Sequence, residues 1–355
     1  MPRLVNISLL WLAALAAPVF AHDTVKFRDG DIVRTVTGRV MAEAQNGMLL
    51  CGDDGQIWGI RAENLLERDS NDQPLVPVSD DEMEKRLLDE FGEGFSVFRT
   101  LHYVVVYDSS EAYARQVAAM YEQLYRGFFT FWKNQYWKLP DPEFPLVAVV
   151  LRDRDSFLSY AEKEVGEAAK NMLGYYNLAN NRILTFNIPN LERNVSTIIH
   201  EATHQLSFNC GLQARYADNP KWVSEGLATF FETPDRRNPT RWRDIGRINQ
   251  VNLARWRKYQ RNRTPQSLAT LVADDTRFNQ ADSITYAYGE AWAFTYFLIK
   301  TKRKEYVKFL QTLSNGRPGA KRSQKERIQL VETAFEMSLE ELDQEFLRYM
   351  SRLRG

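Results

Sequence analysis

The chain has 355 residues, 44% hydrophobic and 26% charged, with Lys+Arg and Asp+Glu equal at 46. Such a composition excludes a disordered chain and is long enough for one large domain plus a small one. The formal net charge of zero excludes a global electrostatic pull toward nucleic acid or an anionic membrane, so only local charge remains to consider.

The N-terminus, "MPRLVNISLLWLAALAAPVFAHD", has a basic start at Arg3 and an apolar run from Leu9 to Phe20. Val19 and Ala21 stand at −3 and −1 of a cleavage before His22. The run is short for a bilayer span, so residues 1–21 are expected to be a secretory signal peptide. No later run is long enough to cross a membrane. The mature protein is therefore expected to be exported, periplasmic or extracellular, with no transmembrane segment.

Residues 22–68 carry three hairpin dipeptides, Asp29-Gly30, Asn46-Gly47 and Asp54-Gly55, each suited to the positive φ of a type I′ turn. Between them lie short β-type runs, "DIVRTVTGRVMAEA", "MLLC" and "QIWGI". Three turns imply about four short strands, a small SH3-like β module. A linker with one short helix is expected over 69–94, where the chain is rich in Pro and acids.

The larger domain is expected over 95–355. "LHYVVVY" is a strand, and Ser110 to about Lys133 an amphipathic helix. "FPLVAVVL" is a buried strand followed by a helix from about Asp155, and "GYYNLANNRILTFNIP" gives two strands around an Asn-Asn turn. From Asn194 onward almost everything has helical periodicity. Mixed elements followed by helices make the class α+β.

Only four histidines are present, His22, His102, His200 and His204, and two of them fall in "NVSTIIHEATHQLSFNCG", Asn194 to Gly211. Asn194 suits an N-cap and Gly211 a helix stop. Residues four apart share a helix face, so His200 and His204 can grip one Zn²⁺ through neutral imidazoles. Glu201, one position round, can take a proton from the attacking water.

A third ligand is needed. No histidine follows His204, and the next cysteine, Cys210, sits at the end of the same helix. A carboxylate on a neighbouring helix remains, and "DNPKWVSEGLATFFETP" supplies it. Asn219 would cap that helix, Pro220 would start it and Pro234 end it. Glu225 is the expected ligand. Glu232, two turns along the same face, is either a carboxylate holding a ligating histidine or a solvated charge.

The pattern His-Glu-x-x-His, about twenty residues, then Trp-x-x-Glu-Gly-x-Ala-x-x-x-Glu resembles the gluzincin metallopeptidases. "WVSEGLATFFE" is similar to the matching helix of gluzincin aminopeptidases and of the smaller peptidase-MA-like group, which includes exported bacterial proteins of unknown function. The likeness is sharp only from His200 to Glu232. It implies a catalytic domain with a mixed-sheet part and a helical part, zinc on His200, His204 and Glu225, Glu201 as general base, and a peptide or protein substrate. The aminopeptidase segment Gly-x-Met-Glu-Asn, which anchors a free amine, has no counterpart. The comparable stretch is "NNRILTFN", whose strand edge at Ile183 to Phe186 could pair with an extended peptide. For the oxyanion, "TYAYGEAW" offers Tyr286 and Tyr288; related proteins carry a tyrosine just before a tryptophan here, which favours Tyr288.

Two features stand apart. From Arg236 to Arg263 there are ten Lys/Arg and one acid, Asp244, with Trp242, Trp256 and Tyr259 interleaved. This is either a polyanion-binding surface or a solvated helical face, possibly paired with the acidic 80–93 stretch; no nucleic-acid motif accompanies it. Cys51 and Cys210 could pair after export, but two cysteines make no framework and read as separate buried thiols. The expected function is an exported zinc peptidase. The alternatives are a non-catalytic zinc-containing scaffold and a zinc amidase acting on cell-wall material.

Overall fold

The computed structural model describes residues 22–235, 238–242 and 245–354. The expected signal peptide lies outside the described residues, as do Arg236, Arg237, Arg243 and Asp244 of the basic stretch. The chain divides into two compact units. One ends at Glu122 and resumes over Asp141–Pro189; the other is Gln123–Pro140 with the chain from Asn190 onward.

In the first unit β1 (His22–Asp29), β2 (Ile32–Ala44), β3 (Gly47–Gly52), β4 (Ile57–Arg61) and β5 (Leu65–Asn71) form an antiparallel sheet in the order β4-β3-β2-β1-β5. The Asp29-Gly30 and Asp54-Gly55 turns use the left-handed glycine that such turns need, at φ 62° and 79°. Val25, Phe27, Met48, Leu50 and Ile60 make its core. The sheet has five strands rather than about four. The additional one, β5, is almost wholly exposed and polar, so no alternation marks it; backbone pairing with β1 holds it.

Helix α1 (Asp80–Phe91) starts at Ser79, whose side chain accepts from the Glu82 N–H. A second sheet follows, with β6 (Ser96–Arg99), β7 (Tyr103–Tyr107), β8 (Leu146–Leu151), β9 (Gly174–Asn177) and β10 (Arg182–Phe186) in the order β6-β7-β8-β10-β9. The apolar runs of β7, β8 and β10 form its parallel centre, as parallel strands covered on both faces require. Met83 and Leu87 of α1 and Phe157 and Ala161 of α3 (Arg154–Val165) pack on Val104, Val149 and Leu184. The connection from β7 to β8 runs through α2 (Glu111–Asn134), which begins in the first unit and ends in the second.

The expected strand edge at Ile183 to Phe186 is not an edge. β10 lies between β8 and β9 with all five residues buried, because the chain turns back at Asn181 (φ 62°) and lays β9 along it.

The second unit is helical apart from a small ribbon. It contains α4 (Leu191–Asn209), α5 (Lys221–Phe231), the ribbon β11 (Pro234–Asp235) and β12 (Asn238–Trp242), α6 (Gln250–Gln260), α7 (Ser267–Ala273), α8 (Ile284–Thr301), α9 (Arg303–Ser314), α10 (Gln324–Phe335) and α11 (Leu339–Arg352). Trp132, Trp222, Trp256 and Trp292 are fully buried in it. Each such side chain contributes on the order of 4–6 kcal/mol of apolar transfer before entropy is counted.

Two helix starts differ from expectation. Helix α4 begins a turn early: Asn190, directly after Pro189, is the cap and accepts from the Arg193 N–H, while Asn194 is buried inside the helix. Helix α5 begins at Lys221, whose N–H is received by Asp275 at 2.8 Å. Asn219 instead turns its amide to the Ala214 and Ala217 carbonyls. A tertiary partner has replaced the local cap, which no local sequence rule reveals. The expected stops hold: Gly211 takes the left-handed conformation after α4 (φ 71°), and α5 ends before Pro234.

Among the described residues no helix is long and apolar enough to cross a membrane. Cys51 and Cys210 are both buried thiols. Burial pushes the Cys210 thiol up to about 12, so it stays neutral within the core.

Candidate metal centre

Four elements of the second unit supply the site. Helix α4 places His200 and His204 one turn apart, with rings 4.8 Å between centroids. Helix α5 brings Glu225 and, as its last capping residue, Glu232. Helix α8 contributes Tyr288, and its close approach to α5 depends on a glycine. A Cβ at Gly226 would collide with the Thr295 side chain and the Ala291 carbonyl. Helix α6 closes the set from the far side of Glu232.

The donor atoms converge. His200 Nε2 lies 3.2 Å from His204 Nε2 and 3.2 Å from Glu225 Oε2, and His204 Nε2 lies 3.7 Å from Glu225 Oε2. Among the described residues this is the one group of three or more His, Cys, Asp or Glu side chains with metal-ligand spacing. A tetrahedral Zn²⁺ with bonds of about 2.0–2.1 Å sets its ligands about 3.3 Å apart. The observed triangle has about the spacing of one face of such a tetrahedron, and imidazole and carboxylate are donor types that zinc takes. The residues present fit the ion.

The remaining ring nitrogen of His200 is also engaged. Nδ1 lies 2.6 Å from Glu232 Oε2, an acceptor that keeps a proton on Nδ1 and turns Nε2 toward the triangle. The second oxygen of Glu232 accepts from Nδ2 of Asn249 at 2.9 Å and of Asn252 at 3.4 Å. Glu232 is thus no solvated charge; its side chain is 15% exposed.

Charge follows the same geometry. Burial disfavours the imidazolium of His200, but hydrogen bonds to Glu225 and Glu232 and the charges of Glu232 and Glu201 outweigh it, and the group is held well above the ordinary histidine range. Burial disfavours the Glu225 carboxylate, and the two histidines overcome this to hold it well below the usual range. Tyr288 is pushed well above the ordinary phenol, first by burial and then by Glu225, Glu201 and Glu232.

Tyr288 has its ring 6.4 Å from that of His200 and is braced edge-on by Phe278 at 5.6 Å. Tyr286 instead stacks on Tyr259 at 5.2 Å. Glu201 is partly buried on α4, near enough for its charge to act on both His200 and Tyr288. Asn249 and Asn252 were not expected from sequence. Their only local signal is an Asn-x-x-Asn at a helix start, which announces a cap and not a partner.

The described residues of the basic stretch lie in different surroundings. Trp242 and Trp256 are core, and Tyr259 packs on Tyr286, so the interleaved aromatics offer no exposed stacking face. Arg263 is internal, bound to Glu290 and Asp343. Arg257, Lys258 and Arg261 line a shallow surface groove with Gln250, Leu253 and Ala254. Within the first unit Asp81 and Glu84 of α1 pair with Arg99, Glu90 with Arg182 and Glu82 with Arg86.

Residues 194–320 match a family model described as "Protein of unknown function (DUF1570)". The matched span takes in the whole cluster, from His200 to Tyr288. A search of curated proteins finds no match for the chain.

Proposed function

We propose that the protein is an exported zinc-dependent peptidase of the gluzincin type, its N-terminal sheet an SH3-like module ahead of the catalytic domain. The observation that carries this reading is the donor triangle of His200, His204 and Glu225, spaced as one face of a zinc tetrahedron. When bound there, zinc supplies Lewis-acid chemistry, acidifying water and polarising a carbonyl.

The protein side chains do the rest. Glu201, rotated about 100° from the ligand face, stands outside the triangle and takes a proton from the attacking water onto its carboxylate. It returns that proton to the leaving amine. Tyr288, kept protonated by burial and by the surrounding carboxylates, donates its O–H to the oxyanion that develops on the scissile carbonyl. Glu232 holds the His200 ring so that Nε2 faces inward.

The test is cleavage of a broad peptide library by the mature protein. We expect cleavage that a chelator abolishes, and that Glu201→Gln slows by about 10² to 10⁴ while zinc content and fold stay unchanged. An uncut library with zinc fully bound would favour the scaffold reading. Full activity in Glu201→Gln would exclude the proposed base.

A further inference from the structure

We infer that Asn249 and Asn252, at the start of α6, are positioning residues for the metal site, acting through Glu232 on His200. The inference rests on the zinc reading above and adds a layer to it.

Each amide is oriented by its own neighbours. Asn249 Oδ1 accepts from the Asn252 backbone N–H at 3.0 Å, capping α6. Its Nδ2 must then face the other way, and it donates to the Thr229 carbonyl at 3.2 Å and to Glu232 Oε1 at 2.9 Å. Every polar atom of the side chain is used. Asn252 Oδ1 receives Arg255 Nη1 at 3.0 Å, which turns its Nδ2 toward the same carboxylate oxygen. Both asparagines are buried, at 4% and 0% exposure. Neither amide can flip without leaving a buried donor facing a donor, a cost a buried polar network resists.

The consequence reaches the imidazole. A carboxylate held by one oxygen alone can pivot about its Cγ–Cδ bond and carry a bonded ring with it. Here Oε1 is clamped by two donors, and Oε2 is left in place for His200 Nδ1. The donors are also neutral. A guanidinium in their place would cancel the charge of Glu232; two amides satisfy the oxygen and leave the charge to act on His200. Asparagine does this while also capping α6, so one residue ties the helix start to the ligand shell.

The cap and the clamp can be separated. Aspartate and serine are good N-caps, so Asn249→Asp and Asn249→Ser keep α6 intact. Aspartate turns the donor into a like-charged acceptor, and serine is too short to reach Glu232. Two readouts on the full mature chain decide the matter. In metal-free protein we expect a protected, downfield His200 Nδ1–H resonance, and in both variants exchange with solvent about tenfold faster or more. In competition with a chelator, zinc affinity should fall about tenfold to hundredfold in both, as for lost outer partners of a ligand. The thermal midpoint of metal-free Asn249→Ser should stay nearer to the parent's than that of Asn249→Asp, which buries a second carboxylate against Glu232. If both variants keep the parent's Nδ1–H protection and zinc affinity, Asn249 is a helix cap only and the inference is overturned. If the parent binds no zinc, the peptidase reading fails by itself, and the Nδ1–H result still decides the clamp. Should Asn249→Asp fail to fold, Asn249→Ser and Asn252→Leu give the same two readings.

Discussion

Two of the buried clusters of charge in the second unit are balanced in opposite ways. Around Glu290, Arg263 and Arg277 donate to its carboxylate and Arg263 also grips Asp343, two guanidiniums against two carboxylates. Glu290 is 0% exposed and Arg263 5%. Ser267 adds its hydroxyl to the same carboxylate. Around His200, Glu225 and Glu232 pair among the described residues only with imidazoles, amides and the phenol of Tyr288. Buried charge has to be matched. One cluster is matched by the protein's own arginines, and it ties the segment after α6 to α7, α8 and α11. The other, among the described residues, presents a negative excess and three convergent donors, the condition that a divalent cation satisfies. A buried ionic cluster is structural where it closes on itself and a candidate site where it does not.

Mutation should separate the two kinds of cluster. The largest effect is expected at the donors: His204→Ala and Glu225→Ala lose most bound zinc, while the metal-free chain remains folded, since removing a donor from an unbalanced cluster leaves no orphaned cation. Metal analysis and thermal unfolding of the same samples check this. Full zinc affinity in Glu225→Ala would mean that the third ligand is another residue. Next, Glu290→Ala leaves Arg277 without its carboxylate and Arg263 with Asp343 alone, and should cost about 3–5 kcal/mol of unfolding free energy, with zinc per folded chain unchanged. Denaturant titration reads the first and metal analysis the second. The smallest effect is at Glu232→Gln, which keeps shape and loses charge; zinc affinity should weaken about tenfold to hundredfold. A wholly unchanged affinity would reduce Glu232 to a packing residue.

Much of the site was legible because its spacing is local. The four-residue step from His200 to His204 and the seven-residue step from Glu225 to Glu232 are helix geometry, and that geometry stands whatever surrounds it. The fold was legible where apolar periodicity is strong, as in α2, β8 and α4. It was illegible where a partner distant in sequence decides. Strand β5 has no apolar pattern and exists by pairing with β1. Asp275 replaces the expected cap of α5. Ile183 to Phe186 reads as an edge until β9 covers it. Asn249 and Asn252 look like ordinary polar helix residues, because nothing in "INQVN" says that a carboxylate on α5 lies against them. Arg263 fails in the same way: a basic residue in a basic run is read as solvated, and only the fold puts Glu290 and Asp343 beside it.

The central claim, that the unbalanced cluster is a zinc centre, is tested most directly by the metal content of the purified protein. Elemental analysis of protein purified without added metal should give about one zinc per chain, as expected for three protein donors with one coordination position left open. Zinc well below that ratio, and not restored by adding zinc to the folded protein, would contradict the account.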